Sequence, residues 1–459
     1  MGWLKSRRLQ YLTSLLAVWM LMLVVLRAIF YFGFSEVGDL VHPSFGTLAQ
    51  ALYVGVKFDL RLSLIVLLPI ALACLLPWNI TNSAFARRLT HLYLALAVFL
   101  CLMFYILDFG HYAYLGIRMN STILRFFDDI VISATMAWQS YPVIWINIAW
   151  ILGTLVFFLS MKRFSVLLTK SEVGMSKKQK AAGVVIVFTF FFFGIFGRLG
   201  STMPLRWNDA FFSGNPTIAA LGINPVLNFS DSFKYRFASK YDKGAVKEHY
   251  STIAEYLGVE KADSETLNYT RENTANNQEA TIRLAKQPNI IMVMLESLGA
   301  SRLGIYGHPL KPSPNIDKIA NEGWFFPNFY VPVSGTARTV FASLTGLPDV
   351  STVRTASRNQ MITEQHSVVN AFVGYPKYYF IGGAAGWANM SAVLRTNIKD
   401  LNLYEQGSYE SPDVDVWGIS DLDLFKEANA VLKTLPKDKP FYAYIQTAGN
   451  HRPFTIPQN

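Results

Sequence analysis

The chain divides into a strongly apolar half and a mixed half. Long apolar runs occur only before about residue 200, and each approaches the ~20 residues that cross a bilayer as a helix. The pattern predicts a five-helix transmembrane bundle over residues 1–200. Its predicted spans cover residues 9–32, 60–78, 92–115, 143–161 and 182–196.

The sequence after residue 200 has the balance of a soluble protein. Residues 201–287 predict an extracytoplasmic connector, whose stretch 262–279, rich in Asn, Thr and Glu, is typical of a solvated linker. From residue 288 to 459, short apolar runs alternate with amphipathic segments, which predicts a parallel sheet between helices. In such a fold, ligands bind beyond the carboxyl ends of the strands.

Individual elements of this α/β region are predicted from their ends. The apolar run Asn289–Leu295 indicates a strand buried on both faces, since it does not alternate. Ser313 is the expected N-cap of the next helix, which should end before Gly323. The remaining predicted elements are a helix at 336–345 closed by Gly346, a strand at 377–381, a helix at 421–435 capped by Ser420, and a strand at 441–447.

Charge changes the interpretation of the membrane part. The net charge is +10, but the basic residues flank the apolar spans rather than forming a nucleic-acid-binding surface, so no nucleic acid is expected. Lys and Arg are concentrated before the first span and in the loops at about 79–91 and 162–181. The positive-inside rule therefore predicts a cytoplasmic N-terminus and an outward-facing α/β domain. Cys74 and Cys101 both lie in apolar spans and say little about the compartment.

Several ionisable residues lie in or beside the predicted spans. Asp59, Arg61, Asp108 and His111 are close enough to predicted interfaces to reach water, which favours a structural over a functional interpretation. The segment 118–138 mixes charges with apolar residues and predicts one amphipathic helix on the outer surface.

Three residues of the α/β region carry candidate chemistry. Glu296 follows the first strand, where a carboxylate either ligates a cation or marks the point where the strand meets water. Thr336 opens a helix, where its hydroxyl either binds phosphate and acts as a nucleophile or merely caps the helix. His451 follows the last strand and is either a contact for an anionic substrate or an ordinary loop residue.

The order of these features resembles the alkaline phosphatase superfamily and, within it, the sulfatase fold. The resemblance rests on residues 289–330, which run from the strand and Glu296 to the SPNIDKIANEG helix, and on the Gly-Thr helix start. Thr345-Gly346 stands nine residues after Thr336, so Thr336 occupies the nucleophile position of the sulfatases. The Pro and Arg of the sulfatase signature are missing after Thr336, which argues against formylglycine chemistry.

A single Glu and a Thr nucleophile behind five spans are similar to the lipoteichoic acid synthase-like family, the phosphoglycerol transferases. The resemblance implies a divalent metal, typically manganese, held by Glu296, the Thr336 oxygen and an Asp-His pair expected beyond residue 459. It also implies substrate contacts from His451 and Trp387. Asn389 stands where some members have Arg.

Arg338 is a further candidate for neutralising phosphate, on proximity to Thr336 alone. By the same resemblance, the sulfatase-like domain is expected to be incomplete at residue 459.

The resemblance implies a transferase of the bacterial cell membrane. Its donor would be phosphatidylglycerol, its acceptor a glucan or a glycerophosphate polymer, and its other partners the membrane lipids. The alternatives are a phosphoethanolamine transferase, whose relatives usually carry disulfides that this chain lacks, and a sulfatase- or phosphodiesterase-type hydrolase. A non-catalytic role in envelope assembly is the alternative from a different class.

Overall fold

The structure is a computed structural model, and its helical N-terminal region precedes an α/β domain. It describes residues 6–34, 43–75, 83–127, 130–168, 176–201, 203–213, 215–236, 242–271, 286–351, 355–451 and 454–457. The N-terminal helices are α1 (Arg7–Phe34), α2 (Phe45–Leu75), α3 (Ala84–Leu115), α4 (Ile130–Ser140), α5 (Val143–Leu168) and α6 (Lys177–Phe196).

Four helices of the described residues are long and apolar enough to cross a membrane. They are Arg7–Phe34, Ala84–Leu115, Val143–Phe164 and Lys177–Phe196. The predicted span 60–78 falls on α2, which is not among these four and carries Lys57, Asp59 and Arg61. Residues 76–78 of that prediction lie outside the described residues. The chain is therefore a membrane protein with four evident candidate spans, and α2 as a fifth stays a prediction.

The predicted access to water is wrong for three of the four ionisable residues in the spans, while Arg61 is only partly buried. Asp59 and Asp108 are fully buried, and His111 is nearly so. Asp59 accepts two hydrogen bonds from Arg27 of α1, at 2.7 and 3.0 Å. Asp108 pairs with Arg118 at 2.9 Å. The arginines take the place of water around these carboxylates. A buried charge is tolerated only when it is paired and hydrogen-bonded.

The guanidinium of Arg27 also reaches the backbone of α2. Its Nη2 atom donates to the carbonyl of Gly55 at 3.0 Å. A Cβ atom at residue 55 would lie 2.5 Å from Arg27 Cζ, so only glycine leaves room for this crossing. Arg61 instead contacts α6, where it donates to the carbonyls of Ile195 and Phe196 at the end of the helix.

The connector packs directly into the helical region. Its helices are α7 (Pro216–Gly222), α8 (Pro225–Ser232), α9 (Lys243–Glu248) and α10 (Tyr250–Leu257). All of α7 except its first residue is buried, and its carbonyls at Leu221 and Ala220 accept hydrogen bonds from Arg27 and Arg118. Asn224, the N-cap of α8, donates to Asp59 at 2.8 Å. The two ion pairs therefore fasten the connector to the helices that precede it.

The single surface helix predicted over 118–138 is wrong. Residues 121–127 form a 3-10 turn, and α4 begins only at Ile130. The start of the segment is buried, and Ser121 donates two hydrogen bonds to Ser232 of α8: its amide to Oγ at 2.8 Å and its hydroxyl to the carbonyl at 2.9 Å. The connector thus covers the start of the segment 118–138, which was predicted to lie on the outer surface.

The α/β domain is built on a four-stranded parallel sheet. Its strands are β1 (Ile290–Met294), β2 (Lys377–Ile381), β3 (Leu401–Tyr404) and β4 (Tyr442–Gln446), in the order β1-β4-β2-β3. Its helices are α11 (Pro314–Glu322), α12 (Thr336–Thr345), α13 (Met390–Asn397) and α14 (Asp421–Lys433). The predicted α/β architecture is confirmed, and β3 and α13 are additions to the predicted set.

Burial of β1 on both faces is wrong. Among the described residues, β1 pairs only with β4 at the edge of the sheet, and Ile291, Met292 and Val293 are exposed. β4, in the interior of the sheet, has every residue buried. The helix after Ser313 is confirmed, although the hydroxyl of Ser313 bonds Asp317 and the amide of Gly304 instead of capping.

Polar contacts join the connector to the α/β domain. Tyr235 donates to the carbonyl of Arg358 at 3.0 Å, and the Gln360 amide donates to the carbonyl of Asn228 at 2.8 Å. The α/β domain is thus linked to the connector, which is itself fastened to the membrane helices.

Candidate active site

The carboxyl ends of β1 and β4 meet at one edge of the sheet and place Glu296 beside the segment that ends at His451. The two strands are parallel and in register, so Met294 lies opposite Gln446. The Glu296 amide donates to Thr447 Oγ1 at 2.9 Å, which ties the two strand ends together. The predicted position of a ligand site, beyond the strand ends, is where these side chains gather.

Thr336 is the first residue of α12, and Gly335 is its N-cap. Gly335 has φ +111°, a conformation that favours glycine. The Thr336 hydroxyl does not cap the helix, because it donates to Glu296 Oε1 at 2.8 Å. The first N–H groups of a helix have no partner inside it, and they lie at the positive end of its dipole. At this position the structure therefore brings together a hydroxyl, a carboxylate that accepts its hydrogen bond and a helix start of the kind that favours phosphate.

Glu296 Oε1 is the centre of the cluster. It also accepts from Ser297 Oγ at 3.0 Å and lies 3.3 Å from His451 Nε2. Ser297 has φ +56°, a left-handed conformation that non-glycine residues adopt at a cost of roughly 1 kcal/mol or more. Asn450 donates to the Ser297 carbonyl at 2.8 Å, which holds this turn against the loop of His451.

Two side chains outside the predicted set position His451. Asp421, at the start of α14, accepts the amides of Ala448 and Gly449 at 2.9 and 3.0 Å. The Trp417 ring stacks on the His451 ring with centroids 4.6 Å apart. Trp417 lies in an irregular loop, so no periodic signal in the sequence could have revealed it.

The other predicted substrate residues are spread around this cluster. Trp387 packs edge-on against Trp417 at 6.1 Å and so reaches His451 through it. Asn389 is buried, has φ +61° and borders a cleft against the membrane helices. Arg338 donates to the carbonyls of Asp349 and Ser351, so the structure does not bring its guanidinium to Thr336. The roles of all three stay predictions.

The sheet beneath the site carries stacked tyrosines. Tyr379 and Tyr444 stack at 4.7 Å, and Tyr444 shares a hydrogen bond of 3.1 Å with Ser343 of α12. Burial, together with the nearby charge of Glu296, raises the pKa of Tyr444 to about 12. Tyr444 therefore stays neutral at physiological pH and serves as a support for α12.

The cluster offers a carboxylate oxygen, a hydroxyl oxygen and an imidazole nitrogen. Oxygen donors of this kind suit magnesium and manganese, and imidazole is also a transition-metal ligand. Within the described ranges, no group of three His, Cys, Asp or Glu side chains is arranged to hold a metal ion. Glu296 and Thr336 therefore fit part of a cation site, which further donors would have to complete.

The parallel α/β sheet, the carboxylate after its edge strand and the hydroxyl at a helix start agree with the resemblance to the sulfatase fold. Residues 288–459 match the family model described as Sulfatase. The chain therefore combines a helical region that contains candidate membrane spans with a sulfatase-like domain at residues 288–459.

The curated relatives include both transferases and sulfatases. Lipoteichoic acid synthase of Staphylococcus saprophyticus is 28% identical over 204 residues, which is 42% of this chain and 31% of that protein. Lipoteichoic acid synthase 1 of Bacillus subtilis is 26% identical over 227 residues, 44% of this chain and 35% of that protein. Human arylsulfatase A is 43% identical over 67 residues, 15% of this chain and 13% of that protein.

These matches leave most of each relative uncovered, since the chain spans about a third or less of their lengths. Among solved structures, an alkaline phosphatase superfamily protein from Vibrio parahaemolyticus is 30% identical. The match covers 39% of this chain and 44% of that chain, with a TM-score of 0.35. Of these three curated relatives, the two lipoteichoic acid synthases match this chain over the longest stretches.

Proposed function

We propose that this chain belongs to a membrane-anchored transferase that moves phosphoglycerol from phosphatidylglycerol to an acceptor outside the cytoplasm. The observation that carries the proposal is the hydrogen bond of 2.8 Å between the Thr336 hydroxyl and Glu296, at the first turn of α12. Similarity to two lipoteichoic acid synthases supports a phosphoglycerol donor over a sulfate ester. The acceptor would be a glucan or a glycerophosphate polymer.

The proposed reaction has two transfers. Thr336 Oγ1 attacks the lipid phosphorus as the bond from phosphorus to the diacylglycerol oxygen breaks. His451 takes the Thr336 proton and passes it to the departing oxygen, so diacylglycerol leaves as the neutral alcohol. An acceptor hydroxyl then attacks the phosphoglyceryl-threonine, and His451 carries its proton to Thr336 Oγ1. Glu296 stays ionised throughout, and both Thr336 and His451 return to their starting states.

A divalent cation is part of the proposal. Glu296 and the Thr336 oxygen would hold it, together with donors expected beyond residue 459, and manganese is the expected ion. When bound, it supplies positive charge that stabilises negative charge on the oxygens around phosphorus. The chain's own contribution is the alignment of Thr336, Glu296 and His451.

Diacylglycerol release from phosphatidylglycerol is the test of the reaction class. The full-length protein in liposomes with fluorescent phosphatidylglycerol and manganese is expected to release fluorescent diacylglycerol, and chelation by EDTA is expected to stop it. Release from phosphatidylethanolamine instead would replace the donor. Turnover of a sulfate or simple phosphate ester, without lipid cleavage, would contradict the transferase and favour a hydrolase.

We further propose that α2 is a fifth span and that the α/β domain lies outside the cytoplasm. Cys74 and Cys101 are buried, so introduced cysteines can be labelled over a low background. In intact cells, an impermeant maleimide is expected to label Tyr256→Cys, at an 88% exposed position of α10, and not Lys178→Cys of α6. Labelling of Lys178→Cys alone would contradict the outward position of the α/β domain, and labelling of both would show that α6 does not span. Ser44→Cys and Ser83→Cys flank α2, so only Ser44→Cys should be labelled; the same result for both would contradict the fifth span.

A further inference from the structure

A cleft of about 710 Å³ lies between α2, α6, the connector and the α/β domain. Its volume falls within the range of small-molecule sites. The wall formed by α2 and α6 is apolar and includes Leu68, Leu72, Phe188 and Phe192. Phe188 and Phe192 are 70% and 54% exposed, so this wall continues onto the surface of a candidate span.

The other wall of the cleft is positively charged. Four basic residues line it, Arg61, Arg206, Lys234 and Arg358, against one carboxylate, Asp231. Arg61 is held in place, because its three nitrogens donate to the carbonyls of Ile195, Phe196 and Leu205 at 2.6 to 2.8 Å. The charge therefore begins where α6 ends, at the level where an apolar span gives way to polar chain.

A buried polar atom without a partner also borders the cleft. Asn389 is 5% exposed, and its Oδ1 atom has no hydrogen-bond partner among the described residues. A buried acceptor left unpaired is destabilising, and a ligand hydroxyl would satisfy it. Asn389 follows Trp387 by two positions, and Trp387 contacts Trp417, which stacks on His451. The cleft therefore borders the same segment as the candidate active site.

We infer that this cleft is a docking site for one anionic phospholipid. An acyl chain would lie along the leucines and phenylalanines of α2 and α6, and the phosphate would face Arg206, Lys234 and Arg358. A free phosphate would satisfy the basic wall alone and leave the apolar wall without a ligand. A lipid uses both walls at once, and it enters from the bilayer beside α6.

The role of the bound lipid as the donor rests on the proposed function, whereas its binding does not. A lipid in this cleft would place its headgroup beside the segment that contains Trp387 and Asn389. Binding can therefore be measured in a Thr336→Ala background, where no transfer consumes the lipid.

Native mass spectrometry of the full-length Thr336→Ala protein in detergent tests the site. Phosphatidylglycerol is expected to bind one molecule per chain, and phosphatidylcholine of the same acyl length is expected to bind much more weakly. The double substitution Arg206→Gln with Lys234→Gln is expected to weaken phosphatidylglycerol binding about thirtyfold. The matched control Lys177→Gln with Lys180→Gln removes two exposed charges at the other end of α6 and should leave the affinity within about twofold.

Charge-preserving changes separate the site from misfolding. Arg206→Lys with Lys234→Arg is expected to bind phosphatidylglycerol within about threefold of the parent, because both charges remain. Equal binding of the two lipids, or full binding by the double glutamine variant, would overturn the docking site. Displacement of the lipid by about 10 mM inorganic phosphate would assign the wall to a soluble anion instead.

The outcomes for docking and transfer are distinguishable. Diacylglycerol release is measured in variants that keep Thr336. If the double glutamine change abolished lipid binding but left this release unchanged, the donor role alone would be refuted. Specific binding with no diacylglycerol release by the wild-type protein would refute the proposed function and leave the docking site standing.

Discussion

Replacement of Thr336 by alanine is expected to lower diacylglycerol release from phosphatidylglycerol by at least about 10³-fold. The substitution removes the only atom that the proposed mechanism uses as a nucleophile, and Glu296 loses the proton donor that it faces at 2.8 Å. Fluorescent diacylglycerol, measured in liposomes under single-turnover and steady-state conditions, reports the loss. Mass spectrometry of wild type, quenched before acceptor is added, should show the phosphoglyceryl adduct on Thr336.

Two variants on the same helix control this experiment. Thr339→Ala removes an identical hydroxyl one turn later, which donates a long hydrogen bond of 3.4 Å to the Gly335 carbonyl, so activity should be retained. Thr336→Ser keeps a hydroxyl and should keep measurable release. If Thr336→Ala and Thr339→Ala were equally active, a covalent intermediate on Thr336 would be excluded.

Asp59→Asn is expected to destabilise the membrane domain by about 3–5 kcal/mol. The change leaves the buried guanidinium of Arg27 without its counter-ion, and Arg27 and Asp59 are only 4% and 0% exposed. Equilibrium unfolding by added SDS, followed by circular dichroism in mixed micelles, measures the difference in the free energy of unfolding. A loss below about 1 kcal/mol would show that water or another group satisfies Arg27.

Removing both charges is the informative control for that pair. Arg27→Met combined with Asp59→Leu takes away the unpaired charge and is expected to recover much of the stability. Recovery should be incomplete, because Asn224 donates to Asp59 and Leu221 accepts from Arg27, and both would lose a partner. A double variant as unstable as Asp59→Asn would locate the stabilisation in those contacts with α7 and α8 rather than in the ion pair.

The local signals in the sequence predicted the elements that surround the candidate site. Thr336 and Gly346 mark the limits of α12, and Ser420 caps α14 through the amide of Asp423, as expected. The sequence also placed Glu296 and His451 directly after two predicted strands, and in a parallel sheet the carboxyl ends of the strands are where ligands bind. In these segments local preference and tertiary packing favour the same structure.

The features that sequence analysis missed depend on distant partners. Arg27 and Asp59 are 32 positions apart on different helices, so no local pattern connects them. β3 has only four residues, and their burial hardly alternates. Such a short segment shows no clear period of two in its sequence, so the strand was not predicted. Among the described residues β1 lies at the sheet edge, which leaves it exposed, and strand order is a property that its apolar run does not encode.

The burial of α7 among the membrane helices has a geometric consequence for catalysis. Arg27 and Arg118 bind its carbonyls, and hydrogen bonds at Tyr235 and Gln360 extend the attachment to the α/β domain. A domain attached in this way does not swing on a tether. In the proposed transferase, the Thr336 hydroxyl would stay at one height above the bilayer, so a lipid donor would always be within the same reach. A growing acceptor would then have to bring its end to that height for each addition.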